Sequence, residues 1–272
     1  MLKLEIKRGL KRKSFSIALL ITLIFCIIDI FKNDYYSILM PYINYPYFLE
    51  DFIKCGIVSS CENFIMFKFT DMSNILFCIM PVIVSMAYGD SYLEDLNSGF
   101  LKSIFSRCSK NKYFINKFFA NFILAGIVFT LPLLINFLIR ICFEATLTPE
   151  ILSTVNLRIG SLNLNLYMNH PIVYTVIWLF IYFIFSGAIA SISLAASIIT
   201  RNKFIVVVIP FIVMQLITLI FKVINISEYN PMSFLYLSNS INIKSMIISF
   251  IIIVSSTFII LYLGGKNSEA LQ

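Results

Sequence analysis

Charge is scarce in this 272-residue chain: 13% of its residues are Asp, Glu, Lys or Arg, while 59% are hydrophobic. Soluble domains carry roughly 25% charged residues, so a water-soluble globule is not the expected class. Histidine occurs once, as His170 between Asn169 and Pro171. A zinc metalloprotease motif needs two histidines on one helix face, and that chemistry drops out. The six cysteines include no C-x-x-C pair, so nothing suggests zinc binding or thiol redox chemistry. The phosphate-binding loop G-x-x-x-x-G-K-[ST] is missing too, because Gly265-Lys266 has Ile260 where the upstream glycine belongs. Any ATP hydrolysis would have to occur in another chain. The first apolar run has no small-residue cleavage site after it, so no cleavable signal peptide is expected.

What is abundant is apolar length. A helix that crosses a bilayer needs about 20 mostly apolar residues, and six stretches qualify: 14–31, 72–88, 118–139, 172–200, 204–221 and 245–264. In the fifth, 14 of 18 residues are Phe, Ile, Val or Leu, enough to outweigh Gln215 and Pro210 on insertion scales. The expected fold is an all-α polytopic membrane protein, one transmembrane domain over residues 1–272. With a cytoplasmic N-terminus, 14 of the 21 Lys and Arg residues fall on the inner side, as the positive-inside rule favours. Both termini are then cytoplasmic. The net charge of +7 reads as an orientation signal, not as an affinity for nucleic acid.

The segments between the spans are uneven. Residues 2–11 place Leu2, Ile6 and Leu10 at four-residue steps beside Lys3, Lys7 and Lys11, which predicts an amphipathic interfacial helix over 1–13; the alternative is a basic tail that only sets orientation. Residues 32–71 and 140–171 are long external loops. The first is dense in Tyr and Phe, suited to the headgroup level. In the second, Leu162, Leu164, Leu166 and Met168 alternate with polar residues, a period of two that predicts a strand.

The connector 89–117 differs from all of these. Ser91 and Glu94 have capping-box spacing, and Leu93, Leu96, Phe100 and Ile104 then recur at helical spacing. Asp90, Glu94 and Asp95 open the segment and Lys102, Arg107 and Lys110 close it, as a helix dipole prefers. A short amphipathic helix is predicted, followed by a basic run that re-enters the membrane near Lys117. The plain alternative is a solvated helix with no partner.

Six spans, an interfacial N-terminal helix and a connector reading Glu94-Asp95, Ser98-Gly99, Arg107-Cys108-Ser109-Lys110 and Lys117 resemble the permease subunit of ABC-2 type ABC transporters. The family usually has Gly-Thr where this chain has Gly99-Phe100, and often Pro at the place of Cys108. The resemblance implies an exporter subunit in a cell membrane, bacterial and multi-pass, that pairs with a second permease copy or paralogue and binds two cytoplasmic ABC ATPase subunits. It also implies that the connector is a coupling helix, with Glu94, Asp95, Leu96, Gly99, Phe100, Arg107 and Lys110 engaging the ATPase. ATP and Mg would be bound by that partner, and this chain would hold no cofactor of its own. An interior without charge clusters suits an amphipathic or hydrophobic cargo: a peptide, including an antimicrobial peptide in export or immunity, a lipid-linked molecule or a drug. The rival class is a non-transporting membrane scaffold or signalling protein, or an intramembrane enzyme.

The remaining candidates are modest. His170 could pair with Ser186 or Ser191 only as a bare dyad, without a nucleophile-type glycine motif. Asp29 is an acid inside an apolar run and is expected to snorkel outward or pair locally. Gly187, Ser191 and Ala195 recur every four residues, a spacing that lets helices approach closely in lipid; Asn121, Asn136 and Gln215 read as interhelical glue. Cys55 and Cys61 are near enough in sequence to form an external disulfide. No metal site is expected.

Overall fold

A computed structural model describes residues 1–34, 60–61, 63–67, 70–106, 109–143, 163–226, 229–235 and 243–267. The helices are α1 (Leu2–Leu10), α2 (Lys13–Asp34), α3 (Asp71–Tyr88), α4 (Ser91–Asn97), α5 (Phe100–Phe105), α6 (Lys110–Phe143), α7 (Leu164–Asn169), α8 (Pro171–Ile199), α9 (Lys203–Val223) and α10 (Ile243–Asn267). Six of them, α2, α3, α6, α8, α9 and α10, are long and apolar enough to cross a membrane. The chain is thus all-α among the described residues and has the character of a multi-pass membrane protein.

Helix α8 is the hub and packs against α3, α6, α9 and α10. Small residues make this possible. A Cβ on Gly187 would lie 2.7 Å from the Phe122 ring on α6, and Ser191 Oγ sits 2.9 Å from Thr257 Oγ1 on α10. Ala195 is buried beside them, so the small-residue row packs inside the chain. The amides act as expected: Asn121 donates to the Ala190 carbonyl at 2.8 Å and Asn136 to the Cys26 carbonyl at 3.1 Å. Gln215 reaches Cys78 Sγ at 3.7 Å.

Helix α6 is 34 residues long, about 50 Å at 1.5 Å per residue. A hydrocarbon core is about 30 Å thick, so this helix overhangs it. The apolar stretch starts near Phe118, but the helix already begins at Lys110. The part of the basic run from Lys110 to Lys117 is therefore the first two turns of α6.

At the opposite end of the bundle the aromatic segment of residues 60–67 turns inward. Phe64 meets Phe137 at 5.4 Å between ring centroids, and Phe67 meets Tyr167 and Tyr174 at 6.0 and 5.8 Å. These two rings are buried within the protein, because α6, α7 and α8 offer them a pocket of other aromatics. The column continues down α8 through Tyr174, Trp178 and Tyr182, four residues apart, with successive centroids 6.2 and 5.7 Å apart. The strand expected around 162–168 is not formed over its described part. Residues 164–169 make the helical turn and a half of α7, started by Asn163 at φ 62°, whose side chain accepts from the Leu166 amide. Burial of Tyr167 fixes the choice, since alternation of Leu and Asn also fits so short a helix.

Candidate functional site at the connector end

Helix α1 carries Glu5 and Gly9 four residues apart, and both are buried. A Cβ on Gly9 would overlap Leu124 of α6 and lie 3.1 Å from Tyr88. Glycine there lets α1 settle onto α6 and brings Glu5, Arg8 and Arg12 to the start of the connector. Leu2 and Ile6 pack partly against the core, whereas Leu10 stays exposed. A helix is present over Leu2–Leu10, with part of its apolar stripe and one acid turned to protein. Gly89, between α3 and α4, is equally constrained: a Cβ there would overlap Ser193 of α8.

The meeting point is a buried charge cluster. Asp95, with 0% of its surface exposed, accepts from Lys117 at 2.5 Å, from the Tyr113 hydroxyl at 2.6 Å and from Arg8. Lys117 Nζ also lies 3.1 Å from Glu5, which accepts from the Tyr88 hydroxyl at 2.5 Å. Lys117 further sits over the Tyr88 and Tyr113 rings, at 5.0 and 5.5 Å from their centroids. At the rim, Arg12 is 2.8 Å from Asp90 and 2.9 Å from Glu94, charge contacts that lie off hydrogen-bond alignment. Burial alone would lower the Arg8 pKa, but the hydrogen bond and charge of Asp95 outweigh it and hold the guanidinium above its ordinary value. Four acids and three bases from α1, the α1–α2 turn, the α3–α4 turn, α4 and α6 thus form one knot. A buried ion is tolerated only when paired and hydrogen-bonded, and here each partner is supplied by a different element.

The knot revises several expectations. The capping box is not formed: the N-cap of α4 is Asp90, without a side-chain bond, Ser91 is already inside the helix, and Glu94 is taken by Arg12 and Arg8. Asp95 is buried, and its hydrogen bonds lie within the chain. The single connector helix is two short ones, broken at Gly99, whose φ of 69° is a left-handed conformation that glycine adopts freely. A Cβ there would meet nothing within 4 Å. Within the chain Gly99 therefore serves the bend. The predicted stripe divides: Leu93 and Ile104 are buried, Leu96 is half-buried, and Phe100 is 47% exposed with Arg8 stacked 5.7 Å from its ring centroid. Lys110 lies over the Phe105 ring at 5.4 Å. Arg107 lies outside the described residues.

Elsewhere, Asp29 pairs and does not snorkel. It is buried and ion-paired to Arg140 of α6 at 2.8 Å, with Thr70 Oγ1 3.4 Å away. Cys55 lies outside the described residues, and with it the Cys55–Cys61 pairing. His170 is exposed at the start of α8. Ser186 and Ser191 lie 16 and 21 residues further along the same helix, about 24 and 32 Å by helical rise, so no dyad can form. Among the described residues no group of three or more His, Cys, Asp or Glu could hold a metal ion. The chain matches no known protein family, no curated protein and no solved structure.

Proposed function

We propose that this chain is the membrane-spanning permease subunit of an ATP-driven exporter, energised by two separate cytoplasmic ATPase subunits and paired with a second copy or paralogue of itself. Its cargo would be amphipathic or hydrophobic: a peptide, a lipid-linked molecule or a drug. The observation that supports this reading best is that α4 is held by ion pairs while the residues around its C-terminal end stay accessible. Asp95 and Glu94 tie α4 to α1 and α6, whereas Leu96, Asn97, Ser98 and Phe100 are half-buried to exposed, Phe100 beside the Arg8 guanidinium. A loop that only joins two spans needs no buried ion pairs to fix it. A lever does, because a force applied at Phe100 must reach α6 without being lost in side-chain motion. In this reading Phe100 and Leu96 are the contact, Gly99 sets the angle, and Asp95 with Lys117 passes displacement to a membrane-crossing helix. The orientation follows the basic residues, with both termini and the connector in the cytoplasm.

The test is co-purification with the soluble protein encoded beside this chain that carries G-x-x-x-x-G-K-[ST]. Truncating a central aromatic anchor commonly costs over about 2 kcal/mol, roughly 30-fold in affinity. Phe100→Ala should therefore lose the ATPase while inserting normally. Retention of a wild-type complex and wild-type transport by Phe100→Ala would refute the coupling role.

A further inference from the structure

At the connector end, acids and bases sort by direction. Glu5 and Asp95 turn inward, Asp90 and Glu94 lie at the rim, and all four are within ion-pair distance of Arg8, Arg12 or Lys117. The lysines of α1 do the opposite. Lys3, Lys7 and Lys11, one helical turn apart, are exposed, and Lys13 continues the row at the start of α2. Among the described residues none of them has an acid within ion-pair distance. Arg201 and Lys203, in the turn between α8 and α9, are exposed as well. They belong to the same end, since that turn closely follows Ser193, which packs on Gly89. The knot therefore absorbs the nearby negative charge and leaves an uncompensated cationic face.

Apolar side chains frame that face. Leu4 is 71% exposed and Leu10 46%, and they flank the lysine row on α1. Exposed Ile17 and Leu20 extend the apolar surface along α2, a helix apolar enough to cross a membrane. Lysine stems can lie along such a surface with the ammonium at headgroup depth, and a helix with this pattern binds at the acyl boundary. We propose that the Lys3–Lys7–Lys11 face of α1 docks on anionic phospholipid headgroups and that this contact fixes α1, and through Glu5 and Arg8 the connector, against the bilayer. A soluble polyanion would match the charge but not the leucines. The proposal stands apart from the transporter reading and needs neither cargo nor ATPase.

The test uses the purified full chain in neutral detergent, supplemented with phosphatidylglycerol or with phosphatidylcholine. Phosphatidylglycerol should raise the melting temperature and remain bound in native mass spectrometry, and added salt should weaken both effects. Each lysine near an anionic surface is worth about fivefold in affinity. Lys3→Gln/Lys7→Gln/Lys11→Gln should thus lower phosphatidylglycerol affinity roughly a hundredfold, while its melting in phosphatidylcholine stays unchanged. The corresponding triple arginine variant should bind as wild type. Equal stabilisation by the two lipids, or unchanged phosphatidylglycerol binding by the glutamine variant, would overturn the proposal. So would a lower melting point of that variant in phosphatidylcholine, since the lysines would then serve the fold, or a preference for heparin over phosphatidylglycerol.

Discussion

Asp95→Asn changes one buried atom type and keeps the side-chain shape, so it isolates the charge at the centre of the knot. The carboxylate accepts from Arg8, Lys117 and Tyr113, and it is fully buried. Hydrogen bonds to charged groups contribute about 1.5–3 kcal/mol each, and removing one partner of a buried pair costs about 3–5 kcal/mol. Lys117 keeps Glu5 at 3.1 Å, so its charge is not orphaned and the loss should fall at roughly 2–3 kcal/mol. Lys117→Met should cost about 3–5 kcal/mol: Asp95 keeps Arg8 and Tyr113, but buried Glu5 loses its base. Combined, the two changes remove one charge of each sign. The double variant should then recover more than about 1 kcal/mol relative to the sum of the single losses. Unfolding of the purified chain by SDS titration in mixed micelles gives all three values. Losses that add to within about 0.5 kcal/mol would mean that Asp95 and Lys117 are not coupled, and the idea of a rigid connector would fail with them.

Gly99→Ala should cost about 1–2 kcal/mol through its left-handed backbone, and Gly99→Asn distinctly less, both read by the same titration; equal and negligible losses would show that the bend is not constrained. Arg140→Met should destabilise by about 3–5 kcal/mol by leaving Asp29 buried without its base, whereas Asp29→Leu/Arg140→Met should approach wild type; thermal melting in detergent decides this. Gly187→Val should cost about 1–3 kcal/mol, since its Cβ would press on the Phe122 ring, and a wild-type melting point would show that α6 and α8 are not tightly apposed there. In a cysteine-free background, an impermeant thiol reagent on intact cells should label Asn163→Cys and spare Ser109→Cys, and the reverse pattern would invert the topology.

Much of the architecture was legible because a bilayer leaves few solutions: backbone polar groups in lipid must be satisfied within the segment, and about 20 apolar residues are needed to cross. The start of α6 was not legible for the same reason. Composition marks where a helix becomes apolar, not where it begins, and α6 starts eight residues earlier. The knot was illegible because its pairs join residues 22, 87 and 112 positions apart. One signal was available: Glu5 interrupts an otherwise basic helix and stands four residues from Gly9, the pattern of a face pressed against something. Arg140 could similarly have been matched to Asp29, since an intramembrane charge implies a partner and the proposed topology puts both near one end. The bend at Gly99 was not legible, because a sequence does not distinguish a glycine needed for its backbone angle from one needed for its small size.

The aromatic column on α8 gives the molecule an optical probe of its own. Trp178 is the single tryptophan among 272 residues, is fully buried, and stands between Tyr174 and Tyr182. Its emission should be blue-shifted and indifferent both to acrylamide in water and to brominated acyl chains in lipid, since neither quencher reaches the indole. Excitation absorbed by the neighbouring tyrosines should pass to it over these short separations. Any movement that slides α8 against α3 or α6 would alter that transfer, so fluorescence of the unlabelled protein would register the hub shifting in real time.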